Sequence, residues 1–333
     1  MLDSKQLTSL EICAGGGGQA IGIEGAGFDH RALIEQNTHA CATLRLNRPK
    51  WNVIEGDVRG FRPERYAGGI DLLAGGIPCT PYSIAGKQLG SGDERDLLPE
   101  ALRLARIIKP RAIMLENVSE LIKSPKFHHT RETLIHELAE LGYQTQMTLL
   151  NAKDFGVPQH RLRAVVVAMR ADFLQNFTWP LGNWELAPTV GQALEASMAA
   201  EGWPGAKSWA KLANDVAPTL VGGSMKHGGG DLGPDRAKRR WAKLAVNGNS
   251  LADQVPGPDF RLQHNVGRGG RLGYPKLTSD QAAIIQGFPT NWRFAGGKTA
   301  RYKQIGNAFP PPVARAVAAS IAAALRTRNG HIQ

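Results

Sequence analysis

Along the first 170 or so residues, short apolar runs trade places with amphipathic stretches, as expected for strands interleaved with helices. Leu7 to Ala14 reads as a strand running into Gly15 to Gly18, and Gln19 to Gly27 as a small-residue helix whose face can lie close on a sheet. Ala32 to Glu35, Val53 to Val58, Ile70 to Ala74, Arg111 to Val118 and Ala164 to Met169 predict further strands. Leu97, Leu98, Ala101, Leu104, Ala105 and Ile108 recur at helical spacing until Pro110 ends the helix. Thr130 to Leu141 repeats the pattern, with Gly142 as its C-cap. Near the end, Val313, Val317 and Ile321 recur every fourth residue and predict a helix that packs back on the first domain. Strand and helix in alternation predict an α/β fold.

From about Phe177 the alternation breaks down. Tryptophans recur at 179, 184, 203, 209 and 241, glycines cluster at 222 to 230, and Met225 to Trp241 reads as a basic, flexible, aromatic-ended stretch. The pattern therefore predicts a first domain over 1–176, completed by 300–328, and a smaller irregular domain with its hinge over 177–299. Internal repeats and long low-complexity runs are absent from the sequence.

Composition narrows the reading. With 333 residues, 42% hydrophobic and 21% charged, the chain is globular in character and long enough for two domains. No run of eighteen apolar residues occurs and the N-terminus does not resemble a signal peptide, so a cytoplasmic location is expected. Three scattered cysteines do not make a disulfide framework or a thiolate metal cage, and no metal site is expected. Forty Lys+Arg against 29 Asp+Glu leave a formal charge of +11, which favours a polyanionic partner through counterion release.

The chemistry-bearing residues fall at predicted strand ends, where open α/β sheets place their sites. The glycine run is either a cofactor cradle or a tight turn. Glu35 follows Gly15 by twenty residues, the spacing at which a carboxylate meets ribose hydroxyls, and Asp57 either accepts from an adenine amino group or caps the next segment. Cys79 lies between Pro78 and Pro81 on a stiff loop, as a structural thiol or as a nucleophile open to substrate. Glu116 ends a strand at the same edge. Arg161 and Arg163 alternate with Leu162 and share a face, as a solvated edge or as a clamp for a phosphate and a base.

Taken in order, CAGGGG, Glu35, the GDV of Asp57, GIPCTPYS, Glu116-Asn117-Val118, QHRLR and Gln304-Ile-Gly-Asn307-Ala-Phe-Pro-Pro-Pro312 resemble the motifs of bacterial C5-cytosine DNA methyltransferases. The resemblance covers about residues 7–170 and 275–326. It implies a Rossmann-like, S-adenosylmethionine-dependent methyltransferase sheet with a target-recognition domain. It also implies cofactor contacts from Cys13, Ala14, Gly15, Gly16, Gly18, Glu35, Gln36, Asp57, Val58, Pro78, Leu98, Asn307 and Phe309. Cys79 becomes the nucleophile, Glu116 the group that bonds N3 and the exocyclic amine, and Arg163 the group that holds the base and balances Glu116. Ser83 and Arg161, the latter nearer the phosphates, complete the catalytic set that the resemblance implies, and the loop from Ser83 to Arg95 is a lid over a flipped cytosine. Lys87, Arg95, Lys226, Arg236, Lys238, Arg239 and Arg240 are the expected DNA contacts.

Five positions depart from the family pattern. Cys13 replaces an aromatic, Gln36 and Asn37 replace an aromatic and an acid, His160 stands where Arg or Lys is common, and Lys276 replaces an arginine. The expected partner is double-stranded DNA, bound by a monomer, with a cognate restriction endonuclease acting separately as a possible companion. The competing readings are the tRNA-methylating branch, a noncatalytic DNA-binding protein and a nicotinamide oxidoreductase. The first lacks its Cys-Phe-Thr signature here, the second leaves an intact Cys79, Glu116 and Arg163 set without a use, and the third leaves Cys79 unexplained.

Overall fold

The computed structural model describes residues 6–77, 96–222, 230–263 and 273–327. The chain forms two compact units, one from Met1–Leu150, Leu162–Leu181 and Val313–Gln333, the other from Asn151–Arg161 and Gly182–Pro312.

The first unit is built on a seven-stranded sheet. Its strands are β1 (Leu7–Ile12), β2 (Phe28–Glu35), β3 (Val53–Glu55), β4 (Leu72–Gly76), β5 (Ala112–Val118), β6 (Gln144–Asn151) and β7 (Leu162–Met169). They lie in the order β3-β2-β1-β4-β5-β7-β6. Neighbours from β3 to β5 are parallel, whereas β7 runs antiparallel to β5. The helices of this unit are α1 (Gly18–Gly25), α2 (Thr38–Asn47), α3 (Leu98–Ile108), α4 (Glu120–Lys123), α5 (His128–Glu140) and α6 (Ala171–Leu174).

Local chemistry sets the ends of these helices. Asn37 caps α2 by accepting from the Ala40 amide at 3.0 Å, a helix that the apolar pattern did not announce. Proline in the first turn starts α3, and Lys109, left-handed at φ 53° before Pro110, ends it. Gly142 closes α5 at φ 82°, where a side chain would be strained.

The two sheet faces differ. On one, Leu10 and Ile12 of β1, Ile34, Leu73, Ile113 and Leu115 pack with Leu104 and Ile108 of α3 and with Leu134 and Leu138 of α5 in a wholly apolar cluster. Burying each such side chain stabilises the fold by roughly 1.5–3 kcal/mol. The alternate positions, Ser9, Glu11, Gly76 and Glu116, carry most of the polar groups and face the other way.

The second unit contains α7 (Val190–Met198), α8 (Ala206–Leu212), α9 (Asp235–Lys243), α10 (Ser279–Ile285) and α11 (Lys298–Asn307). Thr189 with Gln192, and Thr278 with Gln281, form capping boxes at α7 and α10. Gly191 lets α7 approach α8, since a Cβ there would collide with the Ala210 carbonyl oxygen. Trp209 and Trp241 are fully buried, so two of the scattered tryptophans are core residues. Residues 235–241 of the stretch expected to be flexible instead belong to helix α9, with Trp241 as its anchor. The final helix, α12 (Pro311–Arg326), buries Val313, Val317 and Ile321 as predicted and sets Arg315 3.4 Å from the Cβ direction of Gly25 in α1.

Candidate active site

The turn after β1 fixes the first part of the site. Gly15 (φ 54°) and Gly17 (φ 90°) adopt left-handed backbone, and the Gly17 amide donates to the Ala14 carbonyl at 3.0 Å. Glu35, at the end of β2, accepts from the amides of Gly15 and Asn37, both at 2.7 Å. The acid that the spacing assigned to ribose thus also ties the glycine loop to the next strand end. Asp57 caps the segment after β3, accepting from the Arg59 amide at 2.9 Å and pairing with its guanidinium at 3.0 Å. Ala14, Gly16, Gly18, Val58 and Leu98 are buried around this edge, while Gln36 is exposed.

Cys13 stands between β1 and the turn at φ 54°, an uncommon conformation for a residue with a Cβ. Burial, and then the carboxylates of Glu35, Glu11 and Asp57, push its thiol up to about 12. It is therefore a neutral thiol at physiological pH.

Antiparallel pairing of β5 with β7 assembles the second part. Glu116 lies opposite Val165, and Val118 opposite Arg163, which carries the guanidinium back to the carboxylate. Arg163 Nε meets Glu116 Oε1 at 2.8 Å, with the two side chains 14% and 10% exposed. Burial lowers the Arg163 pKa and Glu116 opposes that shift, so the guanidinium stays charged. Asn117 donates to the Ile77 carbonyl at 3.0 Å, which fastens the end of β5 to the chain leaving β4. Across from Glu116 in the register is Gly76, the last residue of β4.

Arg161 requires a correction. Its expected place was nearer the phosphates, on the same face as Arg163. Instead the side chain is fully buried in the second unit and donates to the carbonyls of Leu220 (2.7 Å), Gly306 (2.9 Å) and Ala308 (3.0 Å). A buried guanidinium needs acceptors on several sides, and the carbonyls at the end of α11 supply them. Gln159 joins the same network through Gln286 Oε1 at 2.8 Å, the Ile285 carbonyl and the Leu220 amide. The QHRLR motif is thus divided: Gln159 and Arg161 staple the second unit, and Arg163 serves the sheet edge of the first.

Other candidates fall as follows. Pro78, Cys79, Ser83, Lys87, Arg95 and Lys226 lie outside the described residues. In the second unit, Asn307 is exposed at the last turn of α11 and Phe309 is buried. Arg236, Arg239 and Arg240 are exposed on α9, and Lys243 shares their face at helical spacing. Lys238 is half-buried and paired with Asp231 at 2.8 Å, so it is already committed to an internal contact. Two buried polar residues of the first unit were not anticipated from sequence, Glu11 at 1% exposure and Gln19 at 4%. Their signals were a carboxylate inside an apolar strand and an amide at the start of a small-residue helix.

A glycine-turn βα unit with an acid at the next strand end is the arrangement with which α/β enzymes hold nucleoside ligands at the carboxyl edge of the sheet, the edge that here also carries a carboxylate and guanidinium pair. Comparison with known proteins supplies the rest. The chain belongs to the C-5 cytosine-specific DNA methylase family, whose sequence profile matches residues 7–323. It is 51% identical to Type II methyltransferase M.NaeI of Lentzea aerocolonigenes, over 96% of this chain and 76% of that protein. It is 50% identical to Type II methyltransferase M.NgoMIV of Neisseria gonorrhoeae, over 97% of this chain and all of that protein. Among solved structures, a DNA modification methyltransferase encoded within an E. coli prophage aligns with a TM-score of 0.64 at 20% identity, covering 96% of this chain and all of the other. A Spodoptera frugiperda DNMT2 mutant aligns at 0.63 and 18% identity, covering 93% and 97%. These two likenesses establish the shared α/β fold. The protein is a methyltransferase that modifies carbon 5 of cytosine in DNA.

Proposed function

We propose that the protein takes its methyl group from S-adenosylmethionine and works on a cytosine swung out of double-stranded DNA, through a covalent Cys79 adduct. The observation that carries this reading is the buried Glu116 and Arg163 pair at the carboxyl edge of the sheet, opposite Gly76, which precedes Cys79 by three residues. The residues present suit the cofactor: the Gly15 to Gly18 turn brings backbone close to a ligand, and Glu35, with Asp57 near it, supplies acceptors for a nucleoside. When bound, that cofactor supplies an electrophilic methyl group.

Carbon 5 of cytosine is a poor nucleophile. Addition of the Cys79 thiolate to C6, with a proton passing from Glu116 to N3, turns the ring into an enamine nucleophilic at C5. Arg163 holds Glu116 in place and balances its charge. After methylation, loss of the C5 proton and expulsion of Cys79 restore the aromatic ring. Positioned proton transfer of this kind contributes roughly 10² to 10⁴ in rate. Extruding the base costs on the order of a few kcal/mol, offset by contacts in the pocket.

On α9, the exposed face of Arg236, Arg239, Arg240 and Lys243 suits a phosphate backbone, which supports the reading of the second unit as the target-recognition domain. A duplex substrate places the protein with cellular DNA, the cytoplasm in a bacterium. Likeness to Type II methyltransferases supports a role as the modification enzyme beside a separate endonuclease.

Incubation with labelled S-adenosylmethionine and either duplex DNA or tRNA tests the substrate, and label confined to tRNA would sink the DNA reading. Cys79→Ser is expected to lose turnover and keep DNA binding, and a duplex containing 5-fluorocytosine is expected to trap a covalent complex with the wild type alone.

A further inference from the structure

Two buried polar side chains of the first unit, Gln19 and Glu116, border one gap in the sheet, and Glu11 lies on the same face. Glu11 of β1 pairs in register with Ala74 of β4, and Gly76, two residues on, pairs with Glu116 of β5. Alternation along these strands puts Glu11, Ala74, Gly76 and Glu116 on the same face, opposite the apolar cluster. The floor between the two acids is thus made of alanine and glycine. A Cβ on Gly76 would lie 3.2 Å from Glu116 Oε2 and 4.0 Å from Gln19 Oε1, so both oxygens border the space that the glycine leaves open. Gln19 is 4% exposed, and neither its Nε2 nor its Oε1 has a hydrogen-bond partner among the described residues. A buried amide left unpaired costs free energy, so this one calls for a partner made during function.

We propose that Gln19 is a positioning residue for Glu116: its Oε1 accepts a hydrogen bond from the protonated carboxyl and so keeps a proton on the group that delivers it to the cytosine. Two acceptor oxygens that border one gap can share a hydrogen bond only when one of them carries a proton. Arg163, on the other carboxyl oxygen, favours the ionised form, and a bond from the neutral form to Gln19 opposes it. Glu116 thereby sits between a partner for each of its two states, as a group that gives up a proton during the reaction needs. The inference rests on reading Glu116 as the proton donor.

Other titratable groups on the surrounding elements are Glu11 on β1, Cys13 after it, Glu35 at the end of β2, and Arg163 on β7. Burial and Glu35 raise the Glu11 pKa, which favours its neutral form. Burial keeps Cys13 neutral as well, while Glu35 is engaged with the Gly15 and Asn37 amides. Among these groups Arg163 is therefore the main fixed influence on Glu116, and Gln19 is the neutral counterweight.

The test is the pH profile of kcat on duplex DNA for Gln19→Met and Gln19→Glu, alongside KM for the methyl donor and thermal melting. Gln19→Met keeps the volume and removes the acceptor. The limb on which activity falls with rising pH is expected to move about one pH unit lower, with kcat near neutrality down about tenfold and KM little changed. Gln19→Glu places a second carboxyl in the gap and is expected to move the same limb to higher pH, because a neighbouring like charge favours the protonated form. Opposite displacements at unchanged melting temperature are not what a packing role produces. The proposal is overturned if both profiles superimpose on the wild type, if both move the same way, or if the change is confined to KM. Wild-type turnover in Glu116→Gln would instead break the underlying assignment of the proton donor.

Discussion

The two faces of the seven-stranded sheet are made from alternate residues of the same strands, yet they do different work. One is closed by α3 and α5 and carries no charged group in its cluster. The other holds Ser9 against His30, Glu11 with an oxygen lacking a partner among the described residues, Gln19, and the Glu116 and Arg163 pair. A buried polar group costs free energy unless it is paired, so the second face is the less stabilising of the two. Separating stability from chemistry in this way lets the sheet hold strained and incompletely paired groups at its carboxyl edge while the opposite face secures the fold. The comparison predicts that substitutions on the two faces lose different things.

The largest effect belongs to the polar face. Glu116→Gln removes the proton donor and is expected to lower kcat by roughly 10² to 10⁴ while the protein melts near the wild-type temperature. Arg163→Ala adds a stability cost to the lost activity, since it leaves Glu116 in a site 10% exposed without its guanidinium. Breaking a buried pair from one side costs about 3–5 kcal/mol, somewhat less here because both partners touch solvent. Turnover and melting measured on both variants would show the split, and a Glu116→Gln protein that unfolds but turns over normally when folded would erase the distinction.

Leu73→Ala inverts the result. Leu73 is fully buried in β4 on the apolar face. Its truncation is expected to cost about 2–5 kcal/mol in denaturant unfolding, with kcat of the folded fraction unchanged.

How far the sequence foretold this layout also differs between regions. Six strands of the first unit and its helices α1, α3, α5 and α12 were legible from apolar runs, small residues or a helical period, whereas β6, α4 and α6 were not, and Glu35 and Glu116 were legible because acids at strand ends are conspicuous. Helix α2 was not, since its start depends on the Asn37 cap rather than on an apolar stripe. Helices α8 and α9 were hidden because they are short and each is held by a single large anchor, Trp209 and Trp241, which does not recur with a period. Arg161 misled because alternation gives the face of a residue but not its surroundings. Whether a guanidinium meets solvent or three carbonyls depends on Leu220, Gly306 and Ala308, distant in sequence. Gln19 escaped notice for the same reason: its significance lies in the space above Gly76, which only the strand register reveals.

His30 tests the polar face by pH. Its Nε2 donates to the Ala20 carbonyl and its Nδ1 faces Ser9 Oγ, each at 2.9 Å, an arrangement that suits the neutral ring with the hydroxyl as donor. Burial lowers the pKa below its ordinary 6.5, against smaller opposing effects from Ala20, Glu24 and Asp29. A depressed folded-state pKa means that the unfolded chain takes up the proton first. The stability associated with His30 is therefore intact above about pH 6.5 and lost progressively as the pH falls toward the folded value. His30→Gln is expected to flatten that part of the unfolding free energy against pH, whereas an unchanged slope would assign the loss to other groups.

The smallest effect is expected at Cys13, where the two faces meet. Its backbone is left-handed at φ 54°, which costs a residue with a Cβ roughly 1–2 kcal/mol, so Cys13→Gly relieves strain. The same change frees the unfolded chain, at about 0.5–1 kcal/mol, and removes a thiol that packs against the apolar cluster. The opposing contributions are of similar size, and the net change in unfolding free energy is expected to stay within about 1 kcal/mol. Turnover should hold, because a thiol pushed up to about 12 supplies almost no thiolate at pH 8 to compete for an electrophile. Alkylation of the Cys79→Ser protein by iodoacetamide at that pH measures the same property directly. Slow labelling of Cys13 keeps it on the structural side of the comparison, and rapid labelling would move it among the reactive groups of the sheet edge.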